Sequence, residues 1–417
     1  MVIFSCGSPP KRNPNEITFG YWTGVSEKGL IEEIIANFEK QHPGVKIKGE
    51  STPWVQYFNK MLVEFVAETA PDVIMTSSEK VSAYIDADAL VDLQPFVQKD
   101  STFSIADYYP ELVERMSYNG KLYVLPRDID VVACVFYNKN MFKNEGIPFP
   151  SDDWTWQDFI NANVKCTKDL NHDGKLDQWG ISIYGFYHAF VYSNGGTMVN
   201  DWRQPTRCTL DDPRTIEAVK LWQDLMYKYK TMPNSVTLNS LGMSEPDLFY
   251  DGKMGMFLAG IWMSPSFSKI TTFDWDVTMI PRGPSGKRMF MAEGSGYSMT
   301  KFCQNRELAW EFIKYIGGKE GQTILSRPGL AQPALMTLAR STVFLNGQKP
   351  ANRVVVVNAA KDGMYRPATA KWDEVEQTYL NPMIDLIMSA DSTKRVSADK
   401  GLKEITEKVN KEIFKTK

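Results

Sequence analysis

Ile17-Thr18-Phe19-Gly20-Tyr21-Trp22 opens the stretch that decides the fold. Its β-branched and aromatic residues predict a strand. Ser26 follows as a candidate N-cap. Leu30, Ile31, Ile34, Ile35 and Phe38 then recur at helical spacing until His42-Pro43-Gly44 stops the pattern. Val45-Lys46-Ile47-Lys48 alternates as a second strand. Tyr57, Phe58, Met61, Leu62, Phe65 and Val66 mark a second amphipathic helix, and Asp72-Val73-Ile74-Met75 reads as a short buried strand. This strand-helix-strand-helix-strand order predicts a parallel sheet with right-handed crossovers. Open parallel sheets bind ligands beyond the carboxyl ends of their strands. Here those ends carry Trp22-Thr23, Glu50-Ser51-Thr52-Pro53-Trp54 and Thr76-Ser77-Ser78-Glu79. Capping would account for Ser51 or Ser78, but a cap does not call for Trp22 and Trp54. The sheet edge is therefore a candidate site.

Farther along, Trp154-Thr155-Trp156 opens a helix, and Asp212-Pro213 starts another with a capping Asp and Pro at its first position. Residues 273–279 read as a strand. Leu308, Trp310, Phe312, Ile313 and Ile316 form a helical face closed by Gly317-Gly318. The stretch 370–417 is helical in pattern. Trp222 and Trp310 sit on helical faces and are expected in cores.

A chain of 417 residues predicts two or three domains. Hydrophobic residues at 43% and charged residues at 23% are globular values. The net charge of −3 gives no basic excess, so nucleic acid is not an expected partner. No apolar run is long enough to span a bilayer. Aromatic residues reach 12%, which suits either large cores or a site that stacks on flat ligands. There is no P-loop, dinucleotide fingerprint, HExxH or CxxC, and Gly294-Ser295-Gly296 lacks the outer glycine of a nucleophile elbow. A glycosidase carboxylate pair is defined in space, so sequence leaves that alternative open.

Two local motifs stand out. Asp169, Asn171, Asp173, Lys175 and Asp177 occupy positions 1, 3, 5, 7 and 9 of a calcium-type loop, with Gly174 at position 6. Position 12 is Gly180, so a complete structural Ca2+ site needs a carboxylate from elsewhere. A surface turn has the same composition. Otherwise no cofactor is required. Near the start, Ser5-Cys6-Gly7 precedes a tether-like run of Pro, Lys, Arg and Asn. It reads as the end of a lipoprotein signal, with Cys6 lipidated.

Several stretches in order resemble one family. They are Ala70-Pro71-Asp72-Val73-Ile74, Gly120-Lys121-Leu122-Tyr123-Val124-Leu125-Pro126, Phe136-Tyr137-Asn138-Lys139, Trp154-Thr155-Trp156, Phe249-Tyr250-Asp251-Gly252-Lys253-Met254-Gly255-Met256 and Ala309-Trp310-Glu311-Phe312-Ile313-Lys314-Tyr315-Ile316. Together the chain resembles an extracellular solute-binding protein of a bacterial ABC importer, of the sugar-binding, maltose-binding-protein-like type. The resemblance implies an α/β, two-lobed periplasmic-binding-protein fold, each lobe a mostly parallel sheet flanked by helices, with hinge strands between. Residues 1–14 are then signal remnant and tether. The N-terminal lobe takes 15–129 plus 280–330, and the C-terminal lobe 130–279 plus 331–417. Its implied function is extracytoplasmic carbohydrate binding, with hinge closure around the ligand and delivery to the importer's membrane subunits by a monomer that catalyses nothing. Expected ligand contacts are Trp22, Trp54, Ser78 and Glu79 at the strand ends, and Asp128 and Asp130 at the first crossing. Tyr187, Trp202 and Trp262 come from the second lobe, Glu293 and Ser295 from a strand-to-helix turn, and Trp372 forms a cleft wall. A secreted carbohydrate-active enzyme is the first alternative. A binder of a phosphate ester or polyamine is the second, for which Arg127, Arg282 and Arg327 are candidate phosphate contacts.

Overall fold

The computed structural model describes residues 13–23 and 27–415. Ser26 and Cys6 lie outside the described residues. The chain begins with β1 (Glu16–Thr23), α1 (Lys28–Gln41), β2 (Lys46–Pro53), α2 (Trp54–Val66) and β3 (Val73–Ser77). β1 pairs in parallel with both β2 and β3, as the alternation of strand and helix requires. β2 runs longer than the Val45–Lys48 alternation suggested, because edge pairing with β1 continues through Pro53. Glu50, Ser51 and Thr52 thus lie within the strand, and only Trp54 stands beyond its end.

After a two-residue ladder of β4 (Ser117–Tyr118) and β5 (Lys121–Leu122), β6 (Leu125–Val131) joins the first sheet and passes directly into β7 (Cys134–Asn138) of a second. The second sheet adds β8 (Trp179–Ser182), β9 (Met254–Ala259) and β10 (Trp275–Met279), in the order β10-β7-β9-β8. The chain returns through β11 (Phe290–Met299), which pairs antiparallel with β3 and β6. β12 (Gly363–Met364) pairs in parallel with the start of β11. The first sheet therefore runs β12-β11-β3-β1-β2, with β6 also on β11. This assigns Gly363–Met364 to the first sheet, inside a stretch expected wholly in the second lobe.

The two lobes follow from these two sheets, and the crossings are tied together. Val132 N–H donates to Met291 O at 2.8 Å and Ile280 N–H to Ala133 O at 2.8 Å. The C-terminal helices dock on the second lobe. Gln223 of the helix Pro213–Tyr227 donates to Ile387 O at 2.6 Å and Val396 O at 2.9 Å, and Tyr227 OH donates to Met388 O at 2.6 Å. Asp212 caps its helix through Arg214 N–H, and Thr155 with Asp158 forms a capping box, so Trp154 and Trp156 belong to a structural helix start. Trp222 and Trp310 are buried, as their helical spacing predicted. Cys134, Cys166, Cys208 and Cys303 are buried free thiols, with burial pushing Cys208 up to about 11. Among the described residues no helix is long and apolar enough to cross a membrane.

Candidate functional site

The carboxyl ends of β1 and β2 converge on an aromatic nest. Trp22 lies 5.0 Å from Trp54, 5.3 Å from Tyr57 and 5.6 Å from Phe58 between ring centroids. These rings meet edge to face or tilted, as their quadrupoles favour. Trp22 is only 6% exposed, whereas Trp54 is 46% exposed. The open ring face expected of both thus belongs to Trp54, with Trp22 as its buried backing. Lys80 sits 6.0 Å over Phe58 and pairs with Asp373 at 3.1 Å, joining this nest to the C-terminal helices.

Beside the nest stands a cluster centred on Arg366, which sequence reading missed. Its position follows from register. β12 pairs Gly363 with Phe290 and Met364 with Met291. Two further residues set Arg366 beside Glu293. The guanidinium meets Glu79 at 3.0 Å, Glu376 at 3.1 Å and Glu293 at 3.5 Å. Ser78 Oγ donates to Glu293 and accepts from Gly294 N–H at 3.2 Å. Trp372 donates through Nε1 to Glu376 at 2.9 Å. The structure thus brings Ser78, Glu79, Glu293 and Trp372 together. Glu293 and Ser295 lie in mid-strand of β11, which corrects the expected strand-to-helix turn: β3 on one side and β6 on the other hold this segment extended.

The electrostatics around Arg366 are mixed. Burial pushes the Glu293 and Glu376 carboxyls up, while Arg366 pulls both down. Burial works against the Arg366 cation, but Glu376, Glu79 and Glu293 outweigh it and hold it above the ordinary range. Buried Arg115 lies in the same field, its pKa lowered by burial. Tyr187 is buried and stacks on Trp222 at 5.1 Å with rings 2° from parallel. Burial, then Glu376, push its hydroxyl well up, and that hydroxyl has no hydrogen-bond partner among the described residues.

A second cluster occupies the first crossing. Arg127 donates to Asp128 at 2.5 Å and to Glu27 at 2.6 Å. Asp128 also accepts from Ser295 N–H at 2.8 Å and from Ser295 Oγ at 2.9 Å. Asp128 and Ser295, expected as ligand contacts, are therefore engaged with each other. Asp130, two residues on, is partly exposed, and burial followed by Asp128 raises its carboxyl well above the usual range.

The remaining predicted residues stand apart from both clusters. Trp202 is covered by Tyr365 at 5.2 Å and by the Arg203 guanidinium at 4.3 Å. Arg203 in turn makes a bidentate pair with Glu114 of the first lobe at 2.5 and 2.7 Å, so Trp202 supports a contact between lobes rather than offering a free face. Trp262 is half-buried at the end of β9 and lies edge to face with Phe186 at 5.9 Å. Its indole folds onto Gly260, where an added Cβ would fall 1.7 Å from the ring.

The loop Asp169–Gly180 turns its side chains to its own backbone. Asp169 accepts from Gly174 N–H at 2.8 Å and Asp173 N–H at 3.2 Å, Asn171 from Asp173 N–H at 2.9 Å, and Asp177 from Leu170 N–H at 2.8 Å. Lys175 contributes its N–H to Asp173 at 2.8 Å. Among the described residues no group of three or more His, Cys, Asp or Glu is placed to hold a metal ion. The loop's carboxylates are thus held in place by its own backbone amides.

The candidate phosphate contacts are also engaged: Arg127 as above, Arg282 with Asp153 at 3.3 Å and Arg327 with Glu33 at 2.6 Å. Two surface cavities of about 610 and 720 Å³ lie elsewhere, the first beside His42, Tyr108 and Tyr315, the second beside Phe149, Trp154 and Tyr229. Neither includes a predicted ligand contact.

Comparison with known proteins agrees with the architecture. The chain matches the family model described as bacterial extracellular solute-binding protein over residues 23–323. A putative binding protein of Brucella abortus is 21% identical over 376 residues, covering 89% of this chain and 88% of that protein. An uncharacterized ABC transporter extracellular-binding protein of Pyrococcus horikoshii is 23% identical, covering 73% and 69%. Among solved structures, an ABC substrate-binding protein of Listeria monocytogenes in complex with cycloalternan superposes with a TM-score of 0.84 at 24% identity, covering 95% of this chain and 98% of that one. The maltose/maltodextrin-binding domain of Bdellovibrio bacteriovorus bound to maltotriose gives 0.77 at 18%, covering 94% and 99%. With two sheets joined by crossing strands and a family model that spans most of its length, the chain belongs to the bacterial extracellular solute-binding proteins.

Proposed function

We propose that this protein captures a carbohydrate between its lobes outside the cytoplasm and delivers it, as a monomer, to the membrane subunits of an ABC importer. One observation carries the reading: the nest that exposes Trp54 is joined through Lys80 and Asp373 to the C-terminal helices, whose Glu376 meets Arg366. A pyranose has apolar C–H faces and a rim of hydroxyls. An aromatic face takes the first, and charged donors and acceptors take the second. The sugars named with the Listeria and Bdellovibrio structures support the same class of ligand.

The Arg366 cluster draws on the first lobe through Glu79 and Glu293 and on the C-terminal helices through Glu376. A ligand seated against these groups bridges the two lobes, so it shifts the population toward the closed form. The protein binds without turning its ligand over. Cys6 carries the lipid that holds it at the cell surface, a reading supported by Ser5-Cys6-Gly7 and the run that follows.

Calorimetry against a glycan panel, with product analysis after long incubation, tests this. Saturable one-to-one binding with the glycan recovered intact is the expected result. Released product would establish the enzyme instead, and binding of a phosphate ester or polyamine with no glycan bound would replace the ligand class. For the anchor, Cys6→Ser is expected to move the protein from the membrane fraction to the soluble one.

A further inference from the structure

Charge is out of balance where the lobes cross. Arg127 is matched by Glu27 and Asp128. Arg366 and Arg115 face Glu79, Glu293 and Glu376. Asp130 is additional to both groups. It is the direct partner of Glu293 on the neighbouring antiparallel strand. Side chains so paired stand on one face of the sheet, and like charges in that arrangement repel. The Asp130 carboxylate makes no hydrogen bond and no ion pair among the described residues, apart from the fields of its neighbours.

One buried oxygen of this pair lacks a donor. Glu293 is 9% exposed, and its Oε1 accepts no hydrogen bond. The nearest cationic atom, Arg366 Nε at 3.5 Å, is a donor that makes no hydrogen bond to it. The buried Tyr365 hydroxyl, in the field of Glu293, has none either. A sugar hydroxyl would satisfy an oxygen but bring no charge. Once a ligand excludes water from these two adjacent carboxylates, they require a proton or a cation.

We propose that the Asp130–Glu293 pair receives a protonated amine of the ligand, so that the cleft prefers amino sugars to their neutral or N-acetylated counterparts. The inference rests on the carbohydrate reading above. The ammonium donates charge-assisted hydrogen bonds to Glu293 Oε1 and to the Asp130 carboxylate, both of which otherwise lack donors. Arg127 cannot take over this role, because Glu27 and Asp128 occupy it.

The test is calorimetry at about pH 6, below the usual range of an amine. The probes are matched di- and trisaccharides that differ only in amine, hydroxyl or acetamido: glucosamine, glucose and N-acetylglucosamine oligomers of each common linkage. The amine member of a matched set is expected to bind at least about tenfold tighter, and Asp130→Asn to bring the members within about threefold of one another. Neutral members that bind as tightly as the amines overturn the inference and leave the carbohydrate reading standing. A set in which no glycan binds overturns both. An amine preference that survives in folded Asp130→Asn also overturns it. The wild-type comparison is informative on its own if the variant fails to fold.

Discussion

Two buried arginines flank β11, and they are used differently. Arg127, on β6, is matched by Glu27 and Asp128, with Ser295 satisfying Asp128 from the other side; all belong to the first lobe. Arg366, just past β12, divides itself among three carboxylates, one of them on helices that dock on the second lobe, and its Nε makes no hydrogen bond. The first cluster is closed and local. The second is open and spans the lobes. The same contrast recurs in the aromatic nest, where Trp22 is enclosed and Trp54 faces outward. A fully satisfied network rigidifies its surroundings, whereas a partly satisfied one retains capacity for a further partner.

The largest expected effect separates the two arginines. Arg127→Met leaves Glu27 and Asp128 buried without their cation, and urea unfolding should show a loss of about 3–5 kcal/mol. A loss under about 1 kcal/mol would mean that the closed cluster does not hold the crossing. Next comes the nest. Trp22→Ala removes an enclosed ring and should cost about 3–5 kcal/mol of stability. Trp54→Ala should cost less than about 1 kcal/mol of stability yet weaken ligand binding about tenfold. Equal stability losses for the two would erase the distinction between backing and face.

Arg366→Lys keeps the charge but loses the planar fork that reaches several carboxylates. Its ligand Kd should rise at least about tenfold, with a smaller stability loss than Arg127→Met. An unchanged Kd would make the Arg366 cluster structural as well. The smallest effect is with pH. Burial raises the folded pKa of Glu293 and Glu376 above the unfolded value. Their contribution therefore favours the fold at low pH and is lost as pH rises through the folded pKa. Asp274, held down to about 2 by Lys139 and Lys349, acts in the opposite sense: its contribution is present above its unfolded pKa and lost as pH falls toward about 2. Melting curves from about pH 8 to 5 should rise, and Glu293→Gln with Glu376→Gln should flatten that rise. A rise of the same size in the double variant would move its origin to another carboxyl.

Most of the first lobe was legible in the sequence. The apolar spacing from Ile17 to Met75 predicted every element from β1 to β3 and their order, with β2 running longer than its alternation showed. Helix starts at Thr155 and Asp212 were equally readable, since capping depends on residues three or fewer apart. The site was legible only in part. Trp22, Trp54, Ser78 and Glu79 followed from the strand-end rule. Arg366 and Glu376 carried no local signal.

The sequence by itself determined what short-range periodicity can encode: the alternation of strands and helices, their caps, and the edge on which two tryptophans would meet. Tertiary structure alone decided which of those rings faces outward and which arginine remains open. Glu79, Glu293 and Arg366 come from widely separated parts of the chain, and they meet because β3, β11 and β12 lie side by side in one sheet. Strand pairing is set by long-range contacts that no local spacing records, and the cluster inherits its geometry from that pairing.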